Sequence, residues 1–171
     1  MKRLIPVLML LAACAHRVEP TATATLDARS GSTATGTVAF FNQADGSVRV
    51  RIDITGVAPG VHGFHVHEKG DCSAADAMSA GAHFNPTSAP HAGPDDSMHH
   101  AGDFGNVTSD ATGEIHTEFV ARSITLDSAA SSAVGRAVVL HADPDDLTSQ
   151  PAGNAGKRIA CGVVRVAGAM Q

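Results

Sequence analysis

The sequence predicts an all-β domain, a sandwich or flattened barrel of antiparallel strands. Short apolar–polar alternations of period two recur along the chain, glycine-rich turns separate them, and no stretch carries the spacing of an amphipathic helix. The clearest alternation sets Val48, Val50, Ile52 and Ile54 against Ser47, Arg49, Arg51 and Asp53, a strand with one buried and one wet face. Six Phe and no Trp or Tyr leave the core to rest on Val, Ile, Leu and Ala.

Taken in order, the chain begins with the pattern of an export signal over residues 1–13. Lys2 and Arg3 precede the apolar run Leu4 to Leu11, too short to span a bilayer. The run closes on Leu11-Ala-Ala-Cys14, which resembles the lipobox of bacterial lipoproteins, so Cys14 is expected to carry the lipid. A plain secretory cleavage that discards Cys14 is the alternative. Residues 14–32, rich in Ala, Thr and Ser, read as the anchor cysteine and a flexible tether in which His16 is solvated. The domain proper is then 33–171. These features imply a periplasmic location with a lipid anchor in the outer membrane, Ala15 after the cysteine favouring that membrane by analogy with known sorting.

The first strand of the domain is expected at 35–41, joined to the 47–54 strand by Asn42-Gln-Ala-Asp-Gly46, whose Asp-Gly end signals a hairpin turn. A strand at 61–67 follows. A second hairpin runs from 106–108 through 109–113 to 114–120, and its His116 shares a face with Glu114 and Glu118, which makes it an exposed residue. Further strands are expected at 122–126, 136–141 and 159–166. Two stretches break this rhythm, residues 68–104 and 142–158. Connections of that length inside a compact domain are functional or disordered.

Metal-ligand chemistry concentrates in and around those stretches. His65, His67, His83, His91, His100, Asp103 and His141 supply six imidazoles and one carboxylate. One ion needs fewer. Copper(II) takes a tetragonal set of imidazoles and zinc a tetrahedral set of nitrogen and oxygen ligands, so seven ligands suit two ions with one histidine shared. His65 and His67, two apart, share one face of their strand while Phe64 and Val66 point to the core. His83, His91, His100 and Asp103 are spaced 8, 9 and 3 apart in one loop, and an ion that ties four points of a loop offsets its ordering entropy. His62, on the core side of its strand, reads as a buried hydrogen-bonding residue. In an exported chain, Cys72 and Cys161 most simply form one disulfide.

The strings that carry these residues are Gly63-Phe-His-Val-His-Glu-Lys-Gly70, Gly81-Ala-His-Phe-Asn-Pro86, His100-Ala-Gly-Asp-Phe-Gly-Asn106, Gly135-Arg-Ala-Val-Val-Leu-His141 and Gly153-Asn-Ala-Gly-Lys-Arg-Ile-Ala-Cys-Gly162. Together they resemble the copper,zinc superoxide dismutase family, in a bacterial exported form, over roughly residues 33–167. The resemblance implies a Greek-key antiparallel β-barrel of about eight strands with two long functional loops. It implies one copper per subunit on His65, His67, His83 and His141, and one zinc on His83, His91, His100 and Asp103, with His83 bridging. Of the neighbours His99 and His100, only His100 keeps the family's His-x-Gly-Asp spacing. Asp145 corresponds to the family's carboxylate behind the two sets of imidazoles, with Asp143 and Asp146 as turn and surface acids, and the Cys72–Cys161 bridge is the family's too. Arg158 matches the arginine that guides the substrate, with Lys157 as a further surface charge.

The activity so implied is dismutation of superoxide to dioxygen and hydrogen peroxide by a copper redox cycle, with Arg158 and His83 as the catalytic side chains. A chain of formal charge −5 needs local positive potential to draw in an anionic substrate, and Arg158 supplies it. A metal-binding protein of the periplasm without turnover is the alternative, and a hydrolytic zinc enzyme a third class; the latter needs an open zinc position, whereas the four proposed ligands close the site. No nucleic-acid partner is implied. Homodimer and monomer both stay open.

Overall fold

The computed structural model describes residues 18–168. The export signal of residues 1–13 and the acylation of Cys14 fall outside them.

Among the described residues, eight strands form one antiparallel sheet that curls into a nearly closed barrel, with a two-residue ninth strand at its margin. They are β1 (Ala22–Ala28), β2 (Thr35–Asn42), β3 (Val48–Thr55), β4 (Gly60–His67), β5 (Asp103–Ser109), β6 (Ile115–Ala121), β7 (Ala137–His141), β8 (Arg158–Val163) and β9 (Arg165–Val166). Their order around the sheet is β5-β4-β7-β8-β1-β2-β3-β6, with β9 on β1. The jump from β4 to β7 and from β8 to β1 gives the interleaved, non-sequential pairing expected of the fold.

The period-two reading of β3 holds from Val48 onward: Val48, Val50, Ile52 and Ile54 are fully buried, and their partners on β2 include Val38 and Phe40, whereas Ser47, expected on the wet face, lies before the strand and is buried. The Asp-Gly turn before β3 is also present. Gly46 takes φ +83, where a side chain is strained, and its N–H donates to Gln43 O at 3.1 Å.

Two readings are corrected. Residues 22–28 are not tether but strand β1, clasped between β2 and β8. Ala22, Ala24 and Leu26 are buried and alternate with Thr23, Thr25 and Asp27, a genuine period-two signal hidden by small side chains and an Ala/Thr-rich composition. The folded domain therefore begins before residue 33. Conversely, 122–126 is not a strand: apart from an isolated bridge from Thr125 to Ser132 it is bends and irregular backbone. Ile124 and Leu126 are buried nonetheless, so the apolar pattern reported burial rather than strand geometry. In addition, β5 starts at Asp103, which puts that carboxylate on the sheet rather than inside the loop.

The Cys72–Cys161 disulfide is formed and ties the long loop after β4 to β8. On the chain-entropy account, closing a loop of this length contributes roughly 4–5 kcal/mol.

Candidate metal centre

Two strands and one loop deliver the histidines to one end of the barrel, and a third strand, β5, brings Asp103. On β4, His65 and His67 are fully buried although they face away from Phe64 and Val66, because the long loop folds over their face. A short stretch of backbone pairing makes that cover: Glu68 N donates to Ala82 O at 2.9 Å and Phe84 N to Val66 O at 2.8 Å. His83 is thereby held beside His67. His141 closes β7, next to β4 in the sheet.

Two groups result, each with its ligand atoms within 4.8 Å of one another. One is His65, His67, His83 and His141; the other is His83, His91, His100 and Asp103, and all seven residues are buried. His83 belongs to both.

The hydrogen bonds decide which ring nitrogens are free. Asp145 is buried between the groups and accepts from His65 Nε2 at 2.7 Å and His91 Nε2 at 2.9 Å. That leaves the Nδ1 of each ring as the bare lone pair in the neutral imidazole. Neither Nδ1 has a hydrogen-bond partner; His91 Nδ1 lies 3.1 Å from Asp103 Oδ2 without hydrogen-bond geometry. His67 Nδ1 lies 3.0 Å from Gly81 O, so its Nε2 is bare and faces His141 Nε2 at 3.4 Å. His83 presents Nδ1 to Asp103 at 2.8 Å, while its Nε2 is buried without a partner. Buried imidazole nitrogens without partners are rare and call for an unseen bonding group.

The electrostatics favour the ligating forms. Burial, reinforced by the neighbouring His83, pushes His65 and His67 well below the usual histidine range. Burial likewise lowers His141 to about 4 and, less strongly, His100. Burial alone would raise Asp103, but the hydrogen bond and charge of His83, with His91 and His100, hold it at about 2. Neutral imidazoles and an ionised carboxylate are the states that bind metal. Four convergent imidazoles suit copper, and three imidazoles with one carboxylate make a closed zinc set, so the residues fit both ions.

A cleft of about 650 Å³ opens onto the first group, with His67, His83, His141, Lys157 and Arg158 in its lining. Arg158 donates to Ala77 O at 2.8 Å and Gly81 O at 2.7 Å, which fixes its guanidinium on the loop that carries His83. Burial lowers its pKa from the ordinary value but leaves it a cation at neutral pH.

His62, His99 and His116 stand outside both groups. His62 is buried, with its ring nitrogens at His141 O and Ala58 O; His99 lies by His100 O; His116 is exposed beside Asp53 and Glu114. Sequence reasoning missed two residues that hold the site together. Asn106 pairs with the backbone of Asp145 in both directions, at 2.7 and 2.9 Å, and Gln150 pairs with the backbone of His91. Neither carries a local signal, because an amide on a strand, as Asn106, or in a loop, as Gln150, says nothing of what it meets across the fold.

The family model described as copper/zinc superoxide dismutase (SODC) matches residues 34–164. Among solved structures, a crystal structure of the clock protein EA4 aligns with a TM-score of 0.78 at 41% identity, covering 88% of this chain and 97% of that one.

Proposed function

Since the chain belongs to the copper/zinc superoxide dismutase family, we propose that it dismutes superoxide to dioxygen and hydrogen peroxide. One copper would be held by His65, His67, His83 and His141, and one zinc by His83, His91, His100 and Asp103. The observation that carries this reading is His83, whose Nδ1 serves one group while its unpartnered, buried Nε2 serves the other beside an open cleft. A ring that lent both nitrogens to ions would give up both ring protons, and its Nε2 would then be a site able to hold one of the two protons that hydrogen peroxide formation requires, water supplying the other.

When bound, copper supplies one-electron redox chemistry and zinc a fixed positive charge with no redox chemistry of its own. The chain's own residues supply access and order. Arg158 and Lys157 outnumber Asp76 in the lining of the cleft and give it a net positive charge in an otherwise acidic protein, which raises the local concentration of an anion. Asp145 holds His65 and His91 by their far nitrogens, so both rings keep one orientation.

The alternative, a metal-binding protein without turnover, has no use for a guanidinium anchored at the cleft. The relative described as a clock protein leaves the activity to be measured on this chain. Pulse radiolysis at matched copper loading makes the separation: Arg158→Glu should cut the dismutation rate by roughly tenfold or more and alter its salt dependence, with copper and zinc contents unchanged. A wild-type rate in that variant refutes the guiding role, and no turnover in copper-loaded wild type refutes the enzyme.

Residues 1–13 are further proposed to export the chain to the periplasm, and Cys14 to be acylated there and to anchor it to the outer membrane. Intact mass of the mature protein tests this: an acyl mass on Cys14, lost in Cys14→Ser, is expected, and a wholly soluble, unmodified wild type contradicts it.

A further inference from the structure

His91 lies in the long loop after β4 with no strand to hold it, yet it is 2% exposed and its ring has to point one way. All of its polar atoms except one are tied to a single short segment. His91 N–H donates to Gln150 Oε1 at 2.9 Å, Gln150 Nε2 donates to His91 O at 2.7 Å, and His91 Nε2 reaches Asp145 Oδ1 at 2.9 Å. The remaining atom is Nδ1, which faces the zinc group. A primary amide offers a donor and an acceptor side by side, so one Gln150 side chain pairs with one residue's backbone as a neighbouring strand would. The next two residues in the chain, Pro151 and Ala152, line the cleft beside Arg158.

We propose that Gln150 is a positioning residue of the zinc group: it sets the His91 backbone so that Nδ1 meets His83, His100 and Asp103, and it makes the cleft wall at 151–158 depend on zinc occupancy. This rests on the two-metal reading above. Gln150 touches no ligand atom of either group and is itself exposed, so its loss removes the pairing without opening a hole in the core.

The test titrates Zn(II) into metal-free protein in competition with a chelator, repeats the titration with copper, and follows backbone hydrogen exchange over residues 152–158 with and without zinc. Gln150→Ala should bind zinc about tenfold more weakly, within the range usual for residues that orient a ligand, with copper affinity unchanged. Gln150→Glu keeps the acceptor for His91 N–H but cannot donate to His91 O, so an intermediate loss of about threefold is expected, and this variant carries the test if the alanine form does not fold. Zinc should slow exchange at 152–158 in the wild type and not in Gln150→Ala. Wild-type zinc affinity in Gln150→Ala, zinc-dependent protection that survives in it, or an equal loss of copper and zinc overturns the proposal. A wild type that takes up copper but no zinc fails at the two-metal reading itself and overturns the proposal with it.

Discussion

The two ligand groups share His83 but are built by different means. In the copper group, three of four histidines sit on strands: His65 and His67 on β4, His141 at the end of β7. Sheet register fixes their spacing, and adjacent pairs such as Phe64 with Leu140 lock the two strands together beneath them. In the zinc group, His83, His91 and His100 sit in the loop, and only Asp103 stands on a strand. Backbone pairing with β4 holds His83, while side chains from the other long loop hold His91. A group on strands is preset by folding; a group on loops is preset only as well as its cross-links, and needs its ion to finish the ordering.

The harshest way to break this contrast is to remove the strand-borne carboxylate of the loop group. Asp103→Ala deletes the one anionic ligand and also the acceptor for His100 N at 2.9 Å. Zinc affinity should fall by more than about 100-fold and residues 68–102 should become protease-sensitive, while copper still binds. Equal loss of copper would show that the strand group is not independently preset.

Asp145→Asn probes the link between the groups. A carboxylate accepts from both His65 Nε2 and His91 Nε2, whereas an amide has one oxygen and satisfies only one of them. Zinc binding should weaken about tenfold and copper binding less, because the backbone of His65 is held by the sheet and that of His91 is not. Isothermal titration of both metals decides it, and a larger copper loss reverses the contrast.

The mildest probe is acid on the metal-free protein. His141 titrates near 4 when folded, against its ordinary 6.5, so between those values the unfolded chain binds the extra proton and the folded one does not. His141 alone should therefore lower stability by roughly 3 kcal/mol as pH drops from about 6.5 to about 4 and then level off, and the buried His65 and His67, lowered in the same direction, add to the loss. Asp103, at about 2 when folded, adds a further loss from 3.8 downward as its ionised form disappears. Urea unfolding of metal-free protein from pH 7 to 3 measures this, and a flat profile contradicts the burial argument.

The sequence by itself determined the ligand inventory and most of the sheet. Metal chemistry restricts residue type so severely that six histidines and an aspartate were visible before any fold, and alternation such as that of β3 is written in neighbouring positions. The Cys72–Cys161 bridge followed from there being two cysteines beyond Cys14. Tertiary structure decided what period and motif do not encode. It recruited Ala22–Ala28 as a strand, where small side chains gave a weak signal until β2 and β8 buried them. It turned 122–126 from an expected strand into an irregular segment that buries only Ile124 and Leu126. It also placed Asp145 between two rings 80 and 54 residues away, braced by Asn106, and set Gln150 against His91. Those contacts tie the 142–158 loop to strands β4 and β5 and to the loop after β4, and hydrogen bonds between segments so far apart in sequence exist only once the barrel beneath them has closed.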